Sequence, residues 1–345
     1  MKKLFTIIVT SVALYSCSST NLVYISVQQP APVTISPGIK NVGIVNRSSV
    51  ADKNKALDII DKVLTVEGDS LDRQASQAGV IGLADELIKN NRFNNVTAFN
   101  SIDLRTNVPG QFPAPLTWDV VEKICREKRV DALFSLELFD TDSKVSYAAV
   151  PVSLKTPLGN IPGIEHHANM LTTVKTGWRI YDPAEKVILD EYPITKDVTF
   201  TGKGINPVAA AGAIINRKEA ILDVSRKTGQ DYAFRLIPYW IRVTRDYYVK
   251  GTDNFSTAKR KAQTGNWNGA AELWKKETTS SSSKIAGRAC YNMAIICEIN
   301  GELDKAIEWA QKAYENYNNK LALRYVNILK NRKENNSVLK YQQQS

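Results

Sequence analysis

Two stretches in the C-terminal quarter repeat each other at a fixed distance, and this spacing limits the fold more than any other feature of the chain. Gly265-Asn266-Trp267-Asn268-Gly269-Ala270 aligns with Gly301-Glu302-Leu303-Asp304-Lys305-Ala306, 36 residues on. Glycine lets one helix turn tightly into the next. The alanine after it lets two helices approach, and large residues fill the groove between them. Such a period reads as stacked helical hairpins, each burying its apolar face against its neighbours.

The pattern resembles the tetratricopeptide repeat, whose period is about 34 residues. The serine-rich insertion from Thr278 to Ser283 accounts for the excess. Met293 and Ala294 sit where that family has Leu-Gly in its first helix. Cys297 takes the aromatic position, Gly301 the turn, and Ala306, Ala310 and Ala313 the second helix. An earlier unit carries Gly265, Trp267, Ala270 and Trp274 with a degenerate first helix, and Lys320 to Lys340 is expected to cap the stack. In this family first-helix residues line a concave groove. The resemblance therefore implies that Arg288, Tyr291 and Asn292, with Lys259, face a partner: a protein, or an acidic peptide or its C-terminal carboxylate.

Upstream the period changes. Val42 to Val45 reads as a short buried strand, Asn95 to Phe99 as another. Val80, Leu83, Ala84 and Leu87 follow helical spacing behind an N-cap at Ser70. Thr117 is expected to cap a second helix carrying Val121, Ile124 and Cys125 on one face. Val130, Ala132, Phe134, Leu136 and Leu138 alternate, as do Val174, Thr176, Trp178 and Ile180. Asp182-Pro183 opens a turn, and Lys186 to Tyr192 returns. A Pro/Gly-rich loop is expected from about Val150 to Gly163, one helix from the glycines at 202–204 to about Leu236, and a last strand from Trp240 to Val249. Strand–helix alternation followed by a hairpin predicts an α/β domain with a mixed sheet, ahead of an all-α repeat domain. Val42-Gly43-Ile44-Val45, Asp131-Ala132-Leu133-Phe134 and the hairpin Ile180 to Val187 resemble the curli-secretion lipoprotein and penicillin-binding-protein-activator group.

The N-terminus has a different purpose. Met1-Lys2-Lys3 is basic, and Leu4 to Leu14 is an apolar run too short to span a bilayer. Leu14-Tyr15-Ser16-Cys17 resembles the lipobox of bacterial lipoprotein precursors. That resemblance implies cleavage before Cys17, acylation of its thiol, and anchoring to a lipid bilayer by two or three chains. Ser18 to Asn21 reads as a flexible polar tether. It lacks the acidic cluster that marks surface export, so an outer-membrane anchor facing the periplasm is expected, with inner membrane and cell surface left open. The whole resembles uncharacterised Bacteroidota lipoproteins. The expected organisation is a signal peptide over 1–16, a lipidated tether and extended segment over 17–38, the α/β domain over 39–251, and repeats with a capping helix over 252–340.

The formal charge of +10 is unevenly spread. From Phe255 to Ser345 there are 15 Lys+Arg against 8 Asp+Glu; from Ser18 to Asn254 the counts are 28 and 27. The basic repeats suit an acidic protein, anionic lipid or cell-wall polymer. Nucleic acid is not an expected partner of an exported chain. Cys290 and Cys297, seven apart on one helix, would stand roughly 10 Å apart, beyond disulfide reach. No cysteine spacing matches a zinc site, and the glycines at 202–204 lack phosphate-loop spacing. The only histidines, His166 and His167, are adjacent in the expected loop, with no nucleophile or orienting acid evident. Neither cofactor nor metal is expected, and binding is favoured over catalysis. The reading is a membrane-anchored interaction or assembly module. The alternatives are a subunit of a curli-type secretion channel and an activator or enzyme of cell-wall metabolism.

Overall fold

The computed structural model describes residues 19–49, 68–100, 102, 104, 111–157, 159–214 and 217–344. The chain divides into two compact units: one formed by the residues up to Gln29 with Trp240–Val338, the other by Pro30–Tyr239 with Leu339–Ser345. The fold class is as the sequence suggests, a mixed α/β body followed by a run of helices. Cys17 lies outside the described residues.

The α/β unit is built on five strands: β2 (Asn41–Asn46), β3 (Asn95–Phe99), β4 (Ala132–Thr156), β5 (Gly159–Asp182) and β6 (Val187–Gly204). Their order is β3-β2-β4-β5-β6. β2 runs parallel to both neighbours, with Ile44 opposite Ala98 and Phe134; the rest is antiparallel. Helix α1 (Gly68–Lys89) connects β2 to β3, and α2 (Trp118–Lys128) connects β3 to β4. Because β3 and β4 flank β2, the two crossovers leave in opposite directions. Their right-handedness puts α1 and α2 on opposite faces. Hence β4 is apolar on both sides. Ala132, Phe134 and Leu136 join Leu83 and Leu87 of α1 in one core, while Leu133 joins Val121, Ile124 and Cys125 of α2 in the other.

Several expectations need correction here. Ser70 falls inside α1, which begins at Gly68. Thr117 does hold the N-cap position of α2, in extended conformation but with no side-chain hydrogen bond. The single helix expected after residue 204 is two: α3 (Pro207–Gly212), started by Asn206, whose side chain accepts from the Ala209 N–H at 2.8 Å, and α4 (Arg217–Ala233). Gly212, a poor helix residue, ends the first. α4 lies against α1, and its Tyr232 stacks on Trp178 with ring centroids 5.2 Å apart.

The largest departure concerns the segment expected as a loop from Val150 to Gly163. It is strand. β4 and β5 pair continuously from Leu133↔Tyr181 out to Thr156↔Gly159. Pro151 and Pro162 are accommodated because the outer edges of these arms pair with no further strand among the described residues, and an edge does not need every N–H. His166 and His167 therefore lie on β5, opposite Gly204 and Lys203 of β6. At the other end of β5, the Asp182 carboxylate accepts the Ala184 and Glu185 N–H groups at 3.0 and 3.3 Å, forming the turn that Asp182-Pro183 announces.

The other unit holds β1 (Thr20–Gln29), β7 (Tyr239–Tyr248) from Trp240 on, and the helices α5 (Asp253–Gln263), α6 (Trp267–Glu277), α7 (Ser283–Ile299), α8 (Leu303–Glu315) and α9 (Lys320–Gln342) up to Val338. Gly265 and Gly301 take φ of 79° and 78° at the two repeat turns, the left-handed geometry that glycine adopts without steric cost. β7 does not extend the large sheet; it pairs with β1. Thr20 and Asn21 thus belong to a strand rather than to a tether. Val23, Ile25 and Val27 of β1 and Tyr247 of β7 share one core with Phe255, Trp274, Ala294 and Tyr325 of the helices. Cys290 and Cys297 are buried, free thiols of α7.

Candidate functional site

In open sheets with parallel strands, the crevice at the carboxyl ends of strands whose crossovers diverge is the natural place for a site. Here that point is the end of β2 and the adjoining stretch of β4, where the β4–β5 register shifts between Leu136 and Leu138. Glu137 is the extra residue. The bulge also reverses the phase of the strand: Phe139, not the expected Leu138, enters the core. Bulges re-aim side chains beside sites, and this one turns a carboxylate inward.

Glu137 is fully buried. It pairs with Arg47, which follows β2, and accepts the Tyr181 hydroxyl hydrogen at 2.7 Å. The Tyr181 oxygen in turn accepts the Leu116 N–H at 3.1 Å. Arg179 lies 3.8 Å from the carboxylate. It donates to the Pro113 carbonyl and to Glu191, both at 2.6 Å, and its guanidinium stands 4.5 Å over the Phe112 ring. Burial pushes the Glu137 carboxyl above its ordinary range, against the pull of Arg47, Tyr181 and Arg179. Burial and the Glu137 charge likewise push the Tyr181 hydroxyl up to about 12. Each acid of the cluster is matched by a cation or hydroxyl, which locks β2, β4 and β5 together. Tyr181→Phe leaves both Glu137 and the Leu116 N–H short of a partner, so it should destabilise the fold by about 1–3 kcal/mol in chemical denaturation. An unchanged midpoint would remove Tyr181 from the lock.

A second buried carboxylate organises the repeat unit. Glu298 of α7 accepts from Arg245 of β7 through two bonds of 2.9 Å, from Arg332 at 2.7 Å and from the Tyr325 hydroxyl at 2.6 Å. Nothing short of the folded chain places Arg245, Glu298 and Arg332 together, so sequence spacing could not announce this set.

Three of the residues predicted to line a partner groove, Arg288, Tyr291 and Asn292, are occupied by the chain itself. The Asn292 carboxamide is wholly buried. It accepts from the Tyr248 N–H and donates to the Tyr248 carbonyl, both at 2.7 Å. Tyr291 packs edge-on to Tyr248, with centroids 5.4 Å apart. Arg288 donates to the Lys250 carbonyl at 2.7 Å and covers the Tyr248 ring. Their orientation as an open groove is therefore corrected: β7 and the residues after it fill that space, because Asn292 offers one backbone unit both a donor and an acceptor. Lys259 stands half-buried on α5.

Burial, with Asp131 and Asp182 nearby, pushes the Cys125 thiol up to about 12, and burial takes Cys290 to about 11. His167 lies 2.6 Å from Glu165, which Lys203 also approaches at 3.1 Å. Among the described residues, no group of three His, Cys, Asp or Glu side chains could hold a metal ion.

Sheet, bulge and helical repeats define a two-unit chain with a mixed α/β body and a helical C-terminal part. The chain belongs to the family described as domain of unknown function DUF8603, which matches residues 39–248. Residues 256–331 match a second domain of unknown function, DUF6340. No curated protein matches the sequence. Among solved structures, the PelC dodecamer from Paraburkholderia phytofirmans is 9% identical with a TM-score of 0.26, covering 62% of this chain and 97% of its own. A protein described as a neuraminyllactose-binding hemagglutinin homolog from Helicobacter pylori is 8% identical with a TM-score of 0.23, covering 59% and 96%.

Proposed function

We propose that this chain is a membrane-anchored lipoprotein of the periplasmic face, acting as an interaction or assembly module rather than as an enzyme. The observation that carries the non-catalytic part is the state of its buried acids. Glu137 and Glu298 are each consumed by arginine and tyrosine within the fold, and the described cysteines, Cys125, Cys290 and Cys297, are buried thiols. A catalytic carboxylate or thiol has to meet a substrate, and these groups meet other side chains. Among the described residues no helix is long and apolar enough to cross a membrane, and the anchor in this reading is acylated Cys17. The excess of lysine and arginine in the repeats supports an acidic partner there. That partner would meet the solvent-facing sides of the helices, since Tyr291 and Asn292 are engaged by Tyr248.

Metabolic labelling with a palmitate analogue tests the anchor: Cys17→Ser should lose the label and move the protein from the membrane to the soluble fraction. Labelled, membrane-bound Cys17→Ser would overturn it. Crosslinking in native membranes tests the module. Recovery of one partner whose capture falls when basic residues of the repeats are reversed in charge supports it; turnover of a cell-wall substrate by purified protein would sink it.

A further inference from the structure

We propose that the far end of the β4–β5 ribbon, together with α3, forms a second membrane contact that inserts shallowly into an anionic phospholipid surface. The sequence singles out two apolar runs, Ala148 to Leu158 and Pro207 to Ile215, and the fold brings their described parts, residues 148–157 and 207–214, to the same place. Ala149 pairs with His166, which pairs with Gly204 at the end of β6. Asn206 then starts α3, whose Ala210 and Ala211 pack on Ala168 of β5. Nearer the core the ribbon alternates in the ordinary way, with Ala168, Met170 and Thr172 buried and Asn169 and Leu171 exposed. Beyond Tyr147 the alternation stops. Tyr147, Ala148, Ala149 and Pro151 are all exposed on β4, as are Ile161 and Ile164 (64%) on β5. Beside them, Ile205 is 86% exposed and Val208 49%.

The composition of this end selects its occupant. A hairpin that faces water on one side needs a polar face, and so does a strand lining an aqueous pore. On β4, Ala148-Ala149-Val150-Pro151-Val152 offers none on either side, and the polar residues paired with it, His167, His166 and Glu165 of β5, lie at its inner end. Strand length alone would allow a secretion channel, but the run from Ala148 to Val152 gives β4 no polar face to line one. Addition of a strand from a second copy would use the open edges, yet Pro151 and Pro162 each remove a donor from them, a device that discourages edge pairing. Crossing the bilayer alone would strand the unpaired edges in hydrocarbon, which leaves the interface, where they stay wet. Charge agrees. From Ser143 to Leu171 the only charged residues are Lys144, Lys155 and Glu165, and Lys203 and His167 already contact Glu165. The exposed apolar residues of this end thus have Lys144 and Lys155 beside them and no acid left without a cation, which suits acidic headgroups.

The test uses the chain from position 17 onward with Cys17→Ser, which has neither the apolar leader nor an acyl group. It should float with vesicles of phosphatidylglycerol and phosphatidylethanolamine and bind phosphatidylcholine vesicles less. Val150→Asp and Ile161→Asp, on opposite arms, should each weaken binding about tenfold with thermal unfolding unchanged. Ile164→Trp should show blue-shifted fluorescence only with vesicles. No flotation of the parent chain, binding indifferent to either aspartate, or a lipid-independent oligomer lost in both variants would overturn the proposal. Because this chain carries no acyl group, failure here leaves the Cys17 anchor standing, and failure of palmitate labelling leaves this contact standing.

Discussion

Replacing Gly229 by alanine should cost the α/β unit stability at or above the upper end of the roughly 1–3 kcal/mol usual for overpacking. Helices α1 and α4 meet backbone to backbone. A Cβ at Gly229 would overlap the Gly79 carbonyl oxygen, and one at Gly82 would overlap the Arg226 carbonyl. A backbone cannot rotate away as a side chain can, so relief requires the helices to separate. That separation would loosen Leu83, Leu87 and Tyr232, which pack into the shared core. Gly82→Ala should behave alike, and the double variant should cost less than the sum because one displacement relieves both. Gly212 of α3 supplies the control: nothing lies within 4 Å of its added Cβ, and Gly212→Ala should be neutral or stabilising by up to about 1 kcal/mol. Urea unfolding followed by tryptophan fluorescence measures all four. Equal midpoints for Gly229→Ala and Gly212→Ala would mean that the helices are not held this closely.

Glu298→Ala should be equally severe in the repeat unit, at about 3–5 kcal/mol, because it leaves Arg245 and Arg332 largely buried without their counter-charge. The site also carries a pH signature. Burial alone would raise the Glu298 carboxyl, but the hydrogen bonds from Arg245 and Tyr325 and the Arg245 charge outweigh it and hold it below the ordinary carboxylate range. A folded value below the unfolded one gives stability that is present above the unfolded carboxylate value, about 4.3. It is lost as pH falls through the lowered value. Glu137 has the opposite sign: its raised carboxyl gains stability as pH falls through the raised value. Acid titration should therefore weaken the repeat unit through Glu298 while Glu137 opposes acid loss in the α/β unit. Glu298→Gln should flatten the first dependence and leave the second. A repeat unit whose acid midpoint does not move with Glu298→Gln would refute the assignment.

What sequence reading could reach divides along local and non-local lines. The repeat turns were legible because Gly265 and Gly301 do local work at positive φ, and the mixed sheet because Val42 to Val45 and Val174 to Ile180 carry their own periodicity. The β4–β5 arms are hard to read from sequence because Pro151 and Pro162 normally end strands, and only the pairing pattern shows that they sit where no further strand needs their N–H. The bulge at Glu137 left one trace, the change of apolar parity between Leu136 and Phe139, which also has an innocent reading. Asn292 was assigned the right element and the wrong audience. Its partner, Tyr248, comes from a strand 44 residues earlier in the chain, and no spacing rule covers such a distance.

The early start of β1 has a mechanical consequence. Ordered strand begins at Thr20, so if acyl chains hold position 17, only about three residues, or roughly 10 Å of chain, separate the lipid from hydrogen-bonded structure. Such a leash has almost no slack. With such an anchor, a pull would first reach Ser19, whose carbonyl accepts the Val249 N–H (3.0 Å) beside β7, then β1, and from β7 would pass through Asn292 and Glu298 into α7. Tension at the membrane would thus be borne by the clasp that fills the repeat groove. The load at which that clasp yields would decide when Arg288, Tyr291 and Asn292 become available to anything else.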